Sequence, residues 1–134
     1  MTGPARGVLD TTVFIANENG RELDVSRLPD ESAVSVVTLA EMYAGVLAAN
    51  DVDTRAIRLA TLEALGDVEV LPVDEAATIT WARMRVHLAE SGRRANVNDV
   101  WIAATAAARG LPVITQDDDY DPLDGLAGLR VVKV

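Results

Sequence analysis

The sequence predicts an α/β domain with a mostly parallel sheet that is covered by helices on both faces. Short runs rich in Val, Ile and Leu alternate along the chain with longer segments of helical periodicity. The length of 134 residues fits one domain, 1–134. Apolar residues make up 49% of the chain and aromatic residues only 4%. We therefore expect a core of Val, Leu, Ile and Ala, as in compact α/β domains.

The first predicted strand covers 7–9, and a short helix is predicted over 11–17. Asp10 stands between them, after an apolar run and before Thr11 and Thr12. An Asp at this point is a good helix N-cap. The carboxyl ends of strands are also where open α/β sheets bind ligands. The local sequence leaves both interpretations open.

The β-branched segment 33–37 is predicted as the second strand, after an irregular polar segment over 19–31. Apolar residues then recur at helical spacing, which predicts a helix over 38–49. The Asn50-Asp51 pair predicts a break and a cap, followed by a helix over 53–65. Charged residues of that helix are expected to be exposed, namely Arg55, Arg58 and Glu63.

The second half of the chain repeats the alternation of strand and helix. Gly92 and Gly110 are expected to end its two helices, and Pro112 lies at the start of a strand, where proline is tolerated. The predicted elements are a strand over 68–71, a helix capped by Asp74 and ending near 91, an Ala-rich helix from 97 or 98 to 109, a strand over 111–115, an acidic loop over 116–121 and a closing strand over 129–134.

The composition excludes several classes of function. The chain has no cysteine, so disulfides, zinc–thiolate sites and cysteine nucleophiles are ruled out. A reducing, cytoplasmic environment is expected. The first residues lack the apolar region of a signal peptide. No apolar run approaches the roughly 18 residues of a membrane span, so no membrane partner is expected.

The charge balance argues against a simple nucleic-acid binder. Lys and Arg total 12, Asp and Glu total 21, and the net charge is −9. Phosphate contacts need cations, although a bound metal ion would offset part of the acidic excess. Four arginines are nevertheless clustered and are the candidate phosphate-binding residues: Arg83, Arg85, Arg93 and Arg94.

Four acids occupy comparable positions in the predicted fold. Asp10 ends the first strand, Glu41 lies in the first turn of the helix after the second strand, Asp99 lies in the first turn of the Ala-rich helix, and Asp117 follows the strand over 111–115. Carboxylates brought together repel each other unless a cation neutralises them or protons are retained. Oxygen ligands favour hard ions such as Mg²⁺ or Mn²⁺.

Each acid also has a purely structural interpretation. Thr38 and Glu41 have the spacing of a capping box, in which the glutamate reaches back to the helix start. The helix dipole favours Asp99 in a first turn. Asp117 to Asp119 are also consistent with a solvated acidic loop. Asp99, however, has mostly apolar neighbours, which predicts partial burial and a need for a partner.

Four segments, taken in order, resemble the motifs of the PIN-domain family. Residues 9–15 read LDTTVFI and are similar to its opening motif; residues 38–45 read TLAEMYAG and are similar to the second. Residues 98–106 read NDVWIAATA and resemble the third; residues 114–120 read ITQDDDY and resemble the fourth. Tyr120 departs from that motif, which usually has Phe there. The length and the absence of extra domains look most like VapC, the toxin subgroup of bacterial toxin–antitoxin pairs.

This resemblance implies a PIN-like three-layer α/β/α sandwich and a metal-dependent endoribonuclease that cleaves structured RNA, either tRNA or rRNA. It implies that Asp10, Asp99 and Asp117 face the metal and that Glu41 completes the catalytic set. Asp119 is the alternative to Asp117. Hydroxyls that would orient the carboxylates are those of Thr11, Thr12 and Thr115.

The resemblance further implies a cognate VapB-type antitoxin and a homodimer. The four clustered arginines are then the candidate RNA contacts. His87, the single histidine, is assigned a structural or surface role, and Trp81 and Trp101 are assigned to packing.

Two other classes of function remain as alternatives. The first is another Mg²⁺-dependent phosphoryl-transfer hydrolase. A haloacid-dehalogenase phosphatase or a proofreading exonuclease needs an acid two residues after the first Asp, where this chain has Thr12; a response-regulator receiver needs paired early acids and a late Lys. The second alternative is a PIN-fold binding module with weak or no catalysis. Retention of all four acids argues against it.

Overall fold

The structure is a computed structural model that describes residues 3–134. Five strands are present in this range: β1 Arg6–Leu9, β2 Glu31–Ser35, β3 Glu69–Leu71, β4 Val113–Thr115 and β5 Val131–Lys133. Five α-helices accompany them: α1 Thr11–Ile15, α2 Val36–Leu47, α3 Val52–Glu63, α4 Glu75–Glu90 and α5 Val97–Ala108. Three short 3-10 helices complete the description: Val25–Arg27, Asp118–Leu123 and Leu126–Gly128.

The strands form one sheet in the order β3-β2-β1-β4-β5. Every pairing is parallel, with Val8 of β1 opposite Ala33 of β2 on one side and opposite Val113 of β4 on the other. The chain builds outwards from β1 through β2 to β3, and then returns to the other side of β1 with β4 and β5. The predicted mostly parallel α/β sheet is confirmed.

Helices cover both faces of the sheet. Neighbouring strand residues point to opposite faces, so Val8 and Val113 join one core while Leu9 and Ile114 join the other. The first core is completed by helices α4 and α5, and the second by helices α1 to α3. The expected three-layer arrangement is therefore present, with half of the twelve residues of the Ala-rich helix α5 buried.

The boundary between β2 and α2 differs from the prediction. The strand ends at Ser35, and Val36 and Val37 are already helical. Ser35 is the reason, because its hydroxyl accepts a hydrogen bond from the Val37 N–H at 3.1 Å and so caps the helix. The β-branched side chains of Val36 and Val37 favoured a strand, but the cap decides the local structure.

The remaining boundaries differ by a few residues, mostly at frayed ends. The predicted caps Asp51 and Asp74 both accept hydrogen bonds from the first turns of their helices. The acidic loop after β4 contains the 3-10 helix Asp118–Leu123, which was not predicted. Between residues 3 and 134, none of the helices combines the length and apolar character needed to cross a membrane.

Candidate functional site

The sheet order creates a crevice beside β1. The order in which strands are added to the sheet reverses between β1 and β4, and ligands bind outside the carboxyl ends of the strands at such a switch point. Asp10 directly follows β1, and Asp117 follows β4 two residues after its last member, Thr115. Two of the four predicted acids thus lie at the place where the topology favours a site.

Asp10 is buried and held by hydroxyl groups. Its carboxylate oxygen Oδ2 accepts hydrogen bonds from the hydroxyls of Thr12 at 2.7 Å and Thr115 at 2.9 Å. The other oxygen, Oδ1, accepts one from the hydroxyl of Tyr120 at 3.0 Å. Asp10 also caps α1 through the backbone N–H of Thr12 at 3.4 Å. Asp10 is therefore both the N-cap of α1 and a buried carboxylate at the crevice.

The two threonines tie Asp10 to the strand on the far side of the crevice. The Thr12 hydroxyl accepts from the backbone N–H of Gln116 at 3.1 Å, and the Thr115 hydroxyl accepts from the backbone N–H of Asp117 at 2.9 Å. Each hydroxyl is thereby oriented to donate its single proton to Asp10. The segment after β4 and the start of α1 are locked together through this carboxylate.

Glu41 does not form the capping box that its spacing with Thr38 suggested. Because α2 begins at Val36, Glu41 lies in the second turn and not in the first. Its Oε1 instead accepts a hydrogen bond from the hydroxyl of Thr11 at 2.8 Å. The Thr38 hydroxyl is buried without a hydrogen-bond partner. Glu41 is therefore directed toward α1 and the crevice.

Asp99 is half-buried in the first turn of α5, as predicted. Burial raises its pKa, and the negative charges of Asp10, Glu41 and Asp117 raise it further, to about 7. The neighbouring hydroxyl of Tyr120 lowers the pKa of Asp99 and so opposes this shift. The four acids therefore belong to one electrostatic cluster, although they come from four separate parts of the chain.

Asp117 and Asp119 differ in position. Asp117 is half-buried and its carboxylate accepts from the backbone N–H of Asp119 at 2.9 Å, which caps the 3-10 helix. Asp119 is exposed, and the charge of Asp117 raises the pKa of its side chain. Asp117 is the one of the two whose charge acts on Asp99, and the choice of Asp117 over Asp119 stays a prediction.

Within residues 3–134, the cluster has no cationic side chain as an ion-pair partner. None of the ion pairs found between residues 3 and 134 includes Asp10, Glu41, Asp99 or Asp117. An all-oxygen donor set of this charge fits a hard divalent cation in its chemistry. In this described range, however, no three acidic or histidine side chains stand close enough to hold a metal ion as they are now arranged.

Tyr120 is the functional candidate that the sequence prediction missed. Its side chain is fully buried, and its hydroxyl donates to Asp10 while also interacting with Asp99. Burial raises the pKa of this hydroxyl, so that it remains a neutral hydrogen-bond donor. The signal was present as the departure from the usual Phe of the fourth motif. A hydroxyl added to a buried ring needs a polar partner, and here the partner is Asp10.

The four predicted phosphate-binding arginines are all exposed. Arg93 and Arg94 lie in the loop between α4 and α5, shortly before Asp99, and therefore at the site end of α5. Arg83 and Arg85 lie on α4, where the Arg85 guanidinium lies 5.7 Å from the Trp81 ring centroid. The surface role assigned to the single histidine agrees with the exposed position of His87 on α4.

The two tryptophans pack against each other. The rings of Trp81 on α4 and Trp101 on α5 are stacked, with their centroids 4.6 Å apart and an interplanar angle of 14°. Both residues are half-buried. This arrangement agrees with the predicted packing role, because each ring already covers a face of the other.

Comparison with known proteins gives consistent matches over the whole chain. The PIN domain family matches residues 7–126. The chain is 62% identical to Ribonuclease VapC5 of Mycobacterium tuberculosis (strain ATCC 25618 / H37Rv) over 133 residues, which cover 99% of this chain and 98% of that protein. It is 43% identical to Ribonuclease VapC4 of the same strain over 116 residues, which cover 86% and 88%.

A solved structure gives the same result for the fold. The crystal structure of VapBC-5 from Mycobacterium tuberculosis, a member of the VapBC family of toxin–antitoxin systems, contains a chain that superposes with a TM-score of 0.92. The sequence identity is 60%, and the superposition covers 98% of this chain and 100% of that one.

Proposed function

The chain belongs to the PIN-domain family, and we propose that it is a VapC-type ribonuclease, the toxin of a toxin–antitoxin pair, which depends on Mg²⁺ or Mn²⁺ and cuts RNA internally. The observation that carries the proposal is the cluster of four carboxylates at the switch point of the sheet, which shares no ion pair with a cationic side chain between residues 3 and 134. The names of the relatives, Ribonuclease VapC5 and Ribonuclease VapC4, support RNA as the substrate.

Asp10, Asp99 and Asp117 are the residues that would hold the metal ion. When bound, a divalent ion supplies an activated water molecule and stabilises negative charge on the phosphate and the leaving oxygen. Oδ1 of Asp10 is the better candidate for the metal-binding oxygen, because Oδ2 already accepts hydrogen bonds from two hydroxyls and one backbone N–H. Since water attacks and not the ribose 2′-hydroxyl, the expected products carry a 5′-phosphate and a 3′-hydroxyl.

The other residues of the site orient the carboxylates. The Thr12 and Thr115 hydroxyls fix Asp10, and the Thr11 hydroxyl fixes Glu41. Glu41 is then available to orient the attacking water and accept its proton. The raised pKa of Asp99 means that this acid must lose its proton before it becomes a ligand.

The partners follow from the same assignment. A VapB-type antitoxin is the proposed inhibitor, since the solved neighbour is a VapBC complex. The proposed substrate is structured RNA, either tRNA or rRNA, in the cytoplasm, with Arg83, Arg85, Arg93 and Arg94 as exposed cations for its phosphates. Homodimerisation stays a prediction, to be measured by light scattering.

The test is cleavage of total RNA by the purified protein with Mg²⁺ or Mn²⁺, compared with Asp10→Asn and Asp99→Asn variants. We expect the wild type to cut and both variants to be inactive, because each variant removes a charged ligand. EDTA is expected to stop cleavage, and excess Mg²⁺ to restore it. Equal cutting by wild type and variants would show that the activity does not come from this site. Folded wild-type protein that cuts no RNA under any condition would favour the binding-module alternative.

A further inference from the structure

A groove lies directly beside Glu41, between helices α1, α2 and α3. Its volume is about 330 Å³. Thr11 and Glu41 form the end of the groove that belongs to the carboxylate cluster. Arg58 and Thr61 of α3 also line the groove. The groove therefore leads from the cluster to a cationic side chain.

Arg58 is held in the groove by a backbone contact. It is half-buried, although the sequence pattern predicted an exposed position. Its Nη1 donates to the carbonyl oxygen of Gly45 at 2.7 Å, near the end of α2. Because Gly45 follows Glu41 by four residues on the same helix, this contact is displaced from Glu41 by about 6 Å along the helix axis.

Charges of both signs line the groove. Glu41 joins the groove to the other three carboxylates and, by the proposed function, to a metal ion, while the guanidinium of Arg58 lines another part of the groove. A guanidinium with donors left over after one backbone contact is suited to a phosphate. The remaining polar groups in the groove, from Glu18, Asn19 and Thr61, are suited to ribose hydroxyls and base edges.

We propose that this groove binds the nucleotide next to the cleaved bond and that Arg58 contacts its phosphate. The proposal rests on the proposed ribonuclease function. It assigns a substrate contact outside the arginine cluster of α4 and the loop after it, and it makes α3 part of the RNA-binding surface. The scissile phosphate would lie at the carboxylates, and the adjacent phosphate at Arg58.

The chain offers a matched control for a merely structural role of Arg58. Arg55 lies on the same helix and also donates to a backbone carbonyl after α2, from Nη2 to Ala49 at 3.0 Å. Arg55 is exposed and is not among the residues that line the groove. A change at either arginine removes one positive charge and one such contact, but only Arg58 faces the proposed nucleotide site.

The experiment measures binding of a short, fluorescently labelled single-stranded RNA at several salt concentrations, with Ca²⁺ in place of Mg²⁺ to prevent cleavage. Loss of one phosphate contact lowers the slope of log affinity against log salt by about 0.7 for a single strand. We expect this change and a several-fold weaker affinity for Arg58→Gln, an unchanged slope for Arg55→Gln, and a retained slope for Arg58→Lys. In cleavage assays with Mg²⁺, Arg58→Gln should raise KM more than it lowers kcat.

Equal salt slopes for Arg58→Gln and Arg55→Gln would overturn the proposal, as would an RNA affinity too weak to measure for the wild type. The same holds if Arg58→Gln retains RNA binding but loses a protein inhibitor, because the groove would then be a protein-docking surface. If Arg58→Gln does not fold, as judged by circular dichroism, Arg58→Met, which keeps an unbranched apolar stem, is compared with Arg55→Met in its place, and equal salt slopes for these two variants would overturn the proposal. These failures are distinct from failure of the proposed function, which would appear as a wild type that cuts no RNA.

Discussion

Replacing Tyr120 with phenylalanine would remove one oxygen atom from the centre of the site. The ring is fully buried and would keep its packing, so the fold should be retained. The hydroxyl donates to Oδ1 of Asp10 at 3.0 Å, and a hydrogen bond to a charged group contributes about 1.5–3 kcal/mol. For a chain of this length, we therefore expect the melting temperature in EDTA at pH 8 to fall by roughly 5–12 °C.

The same substitution should weaken metal binding. Groups that orient a metal ligand typically change metal affinity or activity by about 10–100-fold when they are removed. We expect Tyr120→Phe to bind Mn²⁺ at least about tenfold more weakly, measured by calorimetry or by the rise in melting temperature with added Mn²⁺. A purely structural hydroxyl would lower the melting temperature without changing the metal affinity.

Tyr43 provides the control, since it is the other tyrosine of the chain and lies on α2 with 54% of its surface exposed. Tyr43→Phe should change stability by less than about 0.5 kcal/mol and leave Mn²⁺ affinity unchanged. If Tyr120→Phe matches Tyr43→Phe in both measurements, the Tyr120 hydroxyl neither stabilises Asp10 nor prepares the metal site.

Three further predictions concern the same region. Because the pKa of Asp99 is raised to about 7 in the folded state, the folded protein holds a proton on Asp99 between about pH 4 and pH 7 that the unfolded chain has lost. The free energy of unfolding should therefore fall as pH rises through this range, by at most about 4 kcal/mol. Chemical denaturation in EDTA should show this loss, and Asp99→Asn should remove it; a flat profile for the wild type would contradict the cluster. Ser35→Ala should lower the free energy of unfolding by about 1 kcal/mol because it removes the α2 cap, whereas Thr38→Val should leave it unchanged or raise it. If denaturant titrations show the larger loss for Thr38→Val, the helix is capped by Thr38 and not by Ser35. Thr11→Val should reduce kcat about 10–100-fold in RNA cleavage with unchanged melting temperature, since it frees Glu41, and full activity would exclude an orienting role.

The order of elements and the acids at their ends were accessible from the sequence, because both follow from local patterns. Asp10 and Asp99 stand at the junctions that hydrophobic runs and caps define, and the structure has these junctions in place. The order of the strands was not accessible, since β1 pairs with β4 across more than a hundred residues and no local pattern records that pairing. The crevice between them is therefore a property of the fold alone.

The missed details have a common physical cause, which is tertiary contact. Helical periodicity placed Arg58 on the solvent side of α3, but the carbonyl of Gly45 holds it against α2. Glu41 and Thr38 had the spacing of a capping box, but Ser35 starts the helix one turn earlier. Tyr120 was taken as a substitute for Phe, because the sequence does not show that its hydroxyl lies beside the buried carboxylate of Asp10.

The pairing of β1 with β4 also sets the moment at which the site comes into being during synthesis. Asp10 is translated more than a hundred residues before the partners that orient it, Thr115 and Tyr120. Until β4 has left the ribosome and docked, one side of β1 has no neighbour and the carboxylate set is incomplete. The proposed ribonuclease activity therefore requires that β4 and the segment after it have been made and have packed against β1.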